Sequence, residues 1–304
     1  MSITEKEWFI EAPWGRICIV AWGHCHNPPV LLCHGLMDSM ATFRPLIRML
    51  PKNFYYIGVE MPGNGKSDPF PPGLLFNFYD VVYCLEVVVR HFRWESFMFL
   101  GHSVGASMGM LYDFCLPGKI TRSILLDPTT PVVEPETFAR WYKRSYQAYF
   151  DDYDFYNKPR EERTVYTRKE ALKKLMKPRM ISESMAEDCL ERISETVGKG
   201  LVRLTYDQRY KIIPQPPFSS DQMKNLCLKT KAQILLIATD DSIREGKYVK
   251  MPFLIDESIY NNNYRVRHVK GHHNIHIGHP ERVATFVGQF LLNGPEGLDA
   301  KAKL

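Results

Sequence analysis

Apolar positions alternate along the first part of the chain in two distinct rhythms. Short β-branched runs at Gly15–Trp22, Val30–Cys33, Tyr55–Val59, Ser96–Leu100 and Arg122–Leu126 predict strands. Between them, Ala41–Leu50, Asn77–Phe92 and Val104–Cys115 carry a helical period. In the second of these, Phe78, Val81, Val82, Leu85 and Val89 share one helix face. Strands alternating with helices predict βαβ units, hence an α/β fold with a mostly parallel sheet and helices on both faces. From about Pro131 to Pro217 the alternation stops. Aromatic and charged residues gather there (Trp141, Tyr142, Tyr146, Tyr149), and helical periods run over Glu136–Phe150, Arg168–Lys177 and Ser182–Val197. After the Pro214-Gln215-Pro216-Pro217 break the sheet pattern resumes. Gln233–Ala238 and Arg265–Val269 predict strands, and Pro280–Leu292 a closing amphipathic helix. The expected organisation is therefore one core built from residues 1–130 and 216–304, with a helical cap inserted at 131–215.

Composition narrows the partners. The excess of 39 Lys and Arg over 34 Asp and Glu is small and spread without blocks, so nucleic acid is not expected. Seven cysteines, an odd number with no C-x-x-C pair, point to reduced thiols and a reducing compartment. The longest apolar stretch, Tyr79–Val89, is broken by Asp80 and Glu86, and Met1–Glu7 runs straight into charge. Neither a membrane span nor a secretory leader is expected.

Chemistry enters at Gly101-His102-Ser103-Val104-Gly105. A G-x-S-x-G segment after an apolar run and before a helix with small residues (Ala106, Ser107, Gly109) is the pattern of a strand–turn–helix that exposes a serine. Such a turn presents the Ser103 hydroxyl and aims the Val104 N–H at the same point. Cys33-His34-Gly35-Leu36 follows another predicted strand, and Gly35 permits the sharp turn that sets the Leu36 N–H beside that of Val104. Two such donors would stabilise an oxyanion. A serine nucleophile also needs a base and an orienting acid. Gly271–Pro280 offers four histidines, and a metal site is not expected there because no Cys or Glu joins them at ligand spacing. For the acid, Asp241 directly after the strand at Gln233–Ala238 leads. Its neighbour Asp240 remains open, as does Asp127, although Asp before Pro128 is also an ordinary turn starter.

These segments together resemble the serine hydrolase-like proteins (the Kraken group) of the α/β-hydrolase superfamily. The likeness is carried by Leu32–Ser39, Thr42–Pro51, Met61–Ser67 with Pro71-Pro72-Gly73, Leu100–Gly105, Leu204–Arg209 and Gly271–Pro280. It implies the α/β-hydrolase fold, a Ser103 nucleophile, and Leu36 and Val104 as oxyanion donors. It also implies His273 as the base, since the family's histidine usually stands seven residues before the proline, here Pro280. Glu60 departs from the usual Asp, and Ala238 from the usual glycine before the acid. The implied activity is hydrolysis of a carboxylic ester or thioester, with a small acyl substrate and no cofactor. Alternatives are a catalytically idle scaffold that binds a ligand or partner, or cleavage of a C–C or other non-ester bond by the same three groups. Finally, Ala302-Lys303-Leu304 resembles the S-K-L peroxisomal address, which predicts the peroxisomal import receptor as a partner, with the cytoplasm as the alternative location.

Overall fold

A single sheet of eight strands runs through the protein's computed structural model, which describes residues 4–129 and 132–299. The terminal Ala302-Lys303-Leu304 lies outside the described residues. In chain order the sheet comprises β1 (Glu5–Ala12), β2 (Gly15–Trp22), β3 (Pro29–Cys33), β4 (Tyr55–Val59), β5 (Phe97–His102) and β6 (Ile120–Leu126). Three short strands elsewhere, β7 (Val165–Thr167), β8 (Ser194–Gly198) and β9 (Leu201–Leu204), precede the last two of the sheet, β10 (Gln233–Thr239) and β11 (Tyr264–Val269). The spatial order is β1-β2-β4-β3-β5-β6-β10-β11. Strand β2 is antiparallel to both β1 and β4, and every pairing from β4 to β11 is parallel.

Parallel strands covered on both faces have no wet side, which is why their sequences are continuous apolar runs rather than alternations. Here alternate residues feed opposite layers. Leu31, Ile57, Phe99 and Leu236 enter one core, while Val30, Leu32, Tyr56, Leu100 and Leu235 enter the other. On the first side lie α1 (Phe78–His91) and α2 (Val104–Cys115). The start of α1 is fixed by Asn77, whose side chain accepts from the Tyr79 N–H while Asp80 accepts from the Asn77 N–H.

The segment between β6 and β10 does not join the sheet. Its first helical stretch, Pro135–Asp151, opens into a wider π turn at Lys143–Gln147. Two helices follow, α3 (Arg168–Arg179) and α4 (Glu183–Ile193), packed on a small core of their own that includes Leu172, Leu175, Leu190 and Ile193. The helical period expected through Val197 stops at Ile193. Residues 194–204 instead form a β8–β9 hairpin turned at Gly200 (φ 73°), and β7 adds a third antiparallel strand. Val197, Val202 and the left-handed glycine favour that hairpin over another helical turn. Helix α5 (Ser220–Lys229) and the closing α6 (Glu281–Asn293) complete the core.

Candidate active site

All the functional side chains anticipated from sequence follow the carboxyl ends of parallel strands, where open α/β sheets place their crevices. Ser103 stands between β5 and α2 with φ 55° and ψ −121°, a conformation that few non-glycine residues adopt. The neighbours explain how it is held. A Cβ on Gly101 would lie 2.6 Å from the Ala106 nitrogen, and one on Gly105 would lie 2.3 Å from the Cys33 carbonyl oxygen. Both positions exclude side chains, so the turn packs directly against its own helix and the end of β3. The Ser103 N–H donates to the Leu126 carbonyl at 2.9 Å, tying the turn to β6.

The Ser103 hydroxyl lies 2.8 Å from Nε2 of His273, and Nδ1 of that ring lies 2.5 Å from Oδ2 of Asp127. An ionised carboxylate only accepts, so Nδ1 carries the proton and Nε2 presents its lone pair to the serine O–H. The carboxylate on the histidine is thus Asp127's, and the expectation for Asp241 is corrected. Asp241 turns outward to pair with Arg244 at 2.5 Å, and Asp240 is exposed. The end of β10 supplies donors instead. Asp127 accepts from the Thr239 N–H (3.1 Å) and hydroxyl (3.2 Å), the Ser242 hydroxyl (2.5 Å) and the Tyr248 hydroxyl (2.9 Å). Burial by itself would raise the Asp127 carboxyl; the donors, His273 foremost, outweigh it and hold the group below its ordinary range. Asp127 has φ 46°, a left-handed conformation that Asp tolerates better than most residues. Thr239, Ser242 and Tyr248 have no motif in the sequence, and only the β6–β10 pairing brings them to the acid.

The loop after β3 faces the serine from the other side. A Cβ on Gly35 would lie 3.5 Å from the Ser103 Cβ and 3.0 Å from Nδ1 of His102, so Gly35 permits the close approach. His34 is fully buried and splices this loop to the next. Its Nδ1–H donates to the Gly35 carbonyl at 2.7 Å, and its Nε2 accepts the Met61 N–H at 3.1 Å. His102 donates from Nε2 to the His273 carbonyl at 2.9 Å, bracing the loop that carries His273. His276, also fully buried, packs against His102 with ring centres 4.0 Å apart and planes inclined by 40°.

Two cavities flank this centre and share Leu36. The larger, about 410 Å³, is lined by Ser103, His273, Tyr206, Lys174 and Arg179. The smaller, about 250 Å³, lies beyond Leu36 and Val104, under Trp141 and Tyr210. The inserted segment walls both. For a metal, the described residues bring together one set of ligands, His24, Cys25 and His26, within 4.8 Å of one another on an exposed loop. That set involves none of the residues around Ser103. All seven cysteines are free thiols, and no helix among the described residues is long and apolar enough to cross a membrane.

Comparison with known proteins agrees with this architecture. Residues 28–280 match the family model described as alpha/beta hydrolase fold. The human serine hydrolase-like protein 2 is 30% identical over 93% of this chain and 92% of its own. A hypothetical protein from Pseudomonas aeruginosa superposes with a TM-score of 0.77 at 21% identity, covering 94% of this chain and 97% of that one. The thioesterase domain from the curacin biosynthetic pathway superposes with a TM-score of 0.74 at 17% identity, covering 93% and 99%.

Proposed function

The chain belongs to the serine hydrolase-like proteins of the α/β-hydrolase fold family, and from that premise we propose that it hydrolyses carboxylic esters or thioesters through an acyl-enzyme on Ser103. The observation that carries the proposal is the continuous relay from Asp127 through His273 to the Ser103 hydroxyl, at 2.5 and 2.8 Å. Nε2 of His273 takes the hydroxyl proton as the serine oxygen attacks the substrate carbonyl. The Leu36 and Val104 amides receive the developing oxyanion, and the protonated imidazole returns the proton to the leaving alcohol or thiol. Water then repeats the sequence on the acyl-enzyme, releasing the acid and restoring the serine. Asp127 stays ionised throughout, stabilising the imidazolium and fixing the tautomer. The segment at 131–215 acts as a cap, a role supported by Leu175, Leu204 and Tyr206 lining the cavity that holds Ser103.

A fluorophosphonate probe tests the reading directly. Wild-type protein is expected to be labelled and Ser103→Ala to be inert. Asp127→Asn is expected to lower kcat by about 10⁴, the cost of the wrong tautomer in a related relay, while Asp241→Asn stays close to wild type. Labelling that survives in Ser103→Ala removes the serine from the mechanism; equal losses in the two Asp variants remove Asp127 as the acid. For location, the peroxisomal reading stands as a proposal supported by the small–basic–Leu character of Ala302-Lys303-Leu304.

A further inference from the structure

The two cavities have different charge economies, and mechanism decides which part of a substrate each receives. His273 must reach the leaving atom to protonate it, so the leaving group lies in the larger cavity, which His273 and Ser103 line together. With the carbonyl oxygen at the Leu36 and Val104 amides, the acyl chain is directed past them into the smaller cavity, which those two residues line.

That acyl cavity is apolar inside and cationic at its mouth. Its inner wall is Phe78, Val132, Val133, Tyr210 and Ile213, all buried. Its outer wall carries Arg140, Arg144, Lys211 and Lys250, all exposed, and no carboxylate. Among the described residues none of these four head groups has a carboxylate partner; Lys211 lies over the Phe155 ring at 5.4 Å. In the leaving-group cavity Arg179 faces Asp38 at 3.6 Å, and Lys174 lies over the Tyr166 ring at 4.8 Å. Four exposed cations at the mouth of one apolar pocket raise the local potential and attract an anion to it.

We infer that the acyl group cleaved at Ser103 has a second, anionic terminus: the substrate is the half-ester or half-thioester of a dicarboxylic acid, or of a chemically equivalent acid. The inference rests on the serine-hydrolase reading. The methylene stem fills the apolar wall, and the distal carboxylate meets Arg140, Arg144, Lys211 and Lys250. As in any ester hydrolysis, the Ser103–acyl bond forms as the bond to the alcohol or thiol breaks, and water then releases the free dicarboxylate.

The test uses the full chain and a series of ethyl hydrogen esters, from adipate to sebacate, each against the diethyl ester of the same acid. The half-esters are expected to be cleaved with kcat/KM about tenfold or more above their diesters, mainly through KM, with the advantage shrinking as salt is raised. In Arg140→Gln/Arg144→Gln that ratio is expected to fall toward one. Arg144→Glu is expected to reverse it. Diesters cleaved as well as half-esters, with Ser103 still labelled by fluorophosphonate, overturn the substrate class and leave the hydrolase reading intact. A half-ester preference that persists in the Arg140/Arg144 variants and in Lys211→Gln/Lys250→Gln overturns the assignment to this cavity. Absence of both labelling and ester cleavage overturns the hydrolase reading, and this inference with it.

Discussion

A neutral imidazole packed behind His273 has consequences for pH. His276 is fully buried between Phe43 and His102, and its pKa is pushed down to about 3, first by burial and then by the neighbouring His273. His34 and His102 are displaced in the same direction, burial leading in each. An unfolded histidine titrates near 6.5, so between that value and about 3 the unfolded chain binds the proton and the folded one does not. The stability that a neutral His276 confers is therefore complete above pH 6.5 and is lost progressively as pH falls toward 3. At pH 5 the loss from this one group is about 2 kcal/mol. His276→Leu is expected to shrink the difference between urea unfolding free energies at pH 7 and pH 5 by that amount; an unchanged difference would place the acid sensitivity elsewhere. Legibility at this scale was uneven. Ser103 was visible because a G-x-S-x-G between strand and helix is a local backbone requirement, and its glycines meet the contacts that requirement implies. His273 was singled out only by the family resemblance, in which the histidine stands seven residues before a proline, here Pro280. The acid was not legible, since Asp127 and Asp241 both follow strands and both could serve. What separates them is a ring of donors from β10 and Tyr248, assembled by strand pairing rather than by sequence proximity.

At the scale of elements, helix α4 is fastened to the sheet by charge. Arg192 donates from Nε to Glu60 and from Nη1 to Glu7, each at 2.6 Å, and Arg192 and Glu60 are both buried. Glu60 also accepts the N–H groups of Met40 (3.3 Å) and Lys66 (2.7 Å), so this residue, a departure from the family's usual Asp, joins the connections after β3 and β4 to helix α4. Removing one partner of a buried pair leaves the other uncompensated, at a cost of about 3–5 kcal/mol. Arg192→Met is expected to lower the unfolding free energy by that much in urea melts. A change below about 1 kcal/mol, the value of a surface pair, would mean that solvent reaches Glu60 in solution. Strands with continuous apolar sequence were predicted close to their observed bounds, β2 and β4 among them. The edge strand β1 was missed because Glu5, Lys6, Glu7 and Glu11 interrupt its apolar positions, as suits a strand with one unpaired edge. The β8–β9 hairpin was hidden by a helical period that ran on into it. A hairpin needs a partner strand, and the local pattern of Ser182–Val197 does not show one.

For the molecule as a whole, the small net charge of +5 is less informative than its distribution. Arg140, Arg144, Lys211 and Lys250 gather at one cavity mouth, and two further cations, Lys301 and Lys303, stand near the end of the sequence. Fusing the last dozen residues to a fluorescent protein is expected to send it to peroxisomes, and the same fusion lacking Leu304 to remain dispersed; import without Leu304 would mean that the tripeptide is not the address. The segment between β6 and β10 stays out of the eight-stranded sheet, and its sequence shows why: aromatic and charged residues replace the apolar runs that a parallel strand requires. Its position in the topology has a further consequence. Strands β6 and β10 are hydrogen-bonded neighbours, paired from Arg122–Gln233 to Leu126–Ile237, so the chain leaves the sheet and re-enters it one strand away. The entire segment is thus a single enlarged crossover. Ser103 and Asp127 precede it, His273 follows it, and their relative positions are set by the ladder beneath. A relative's crossover could be grafted between β6 and β10 to reshape both cavities, with Ser103, Asp127 and His273 left in register.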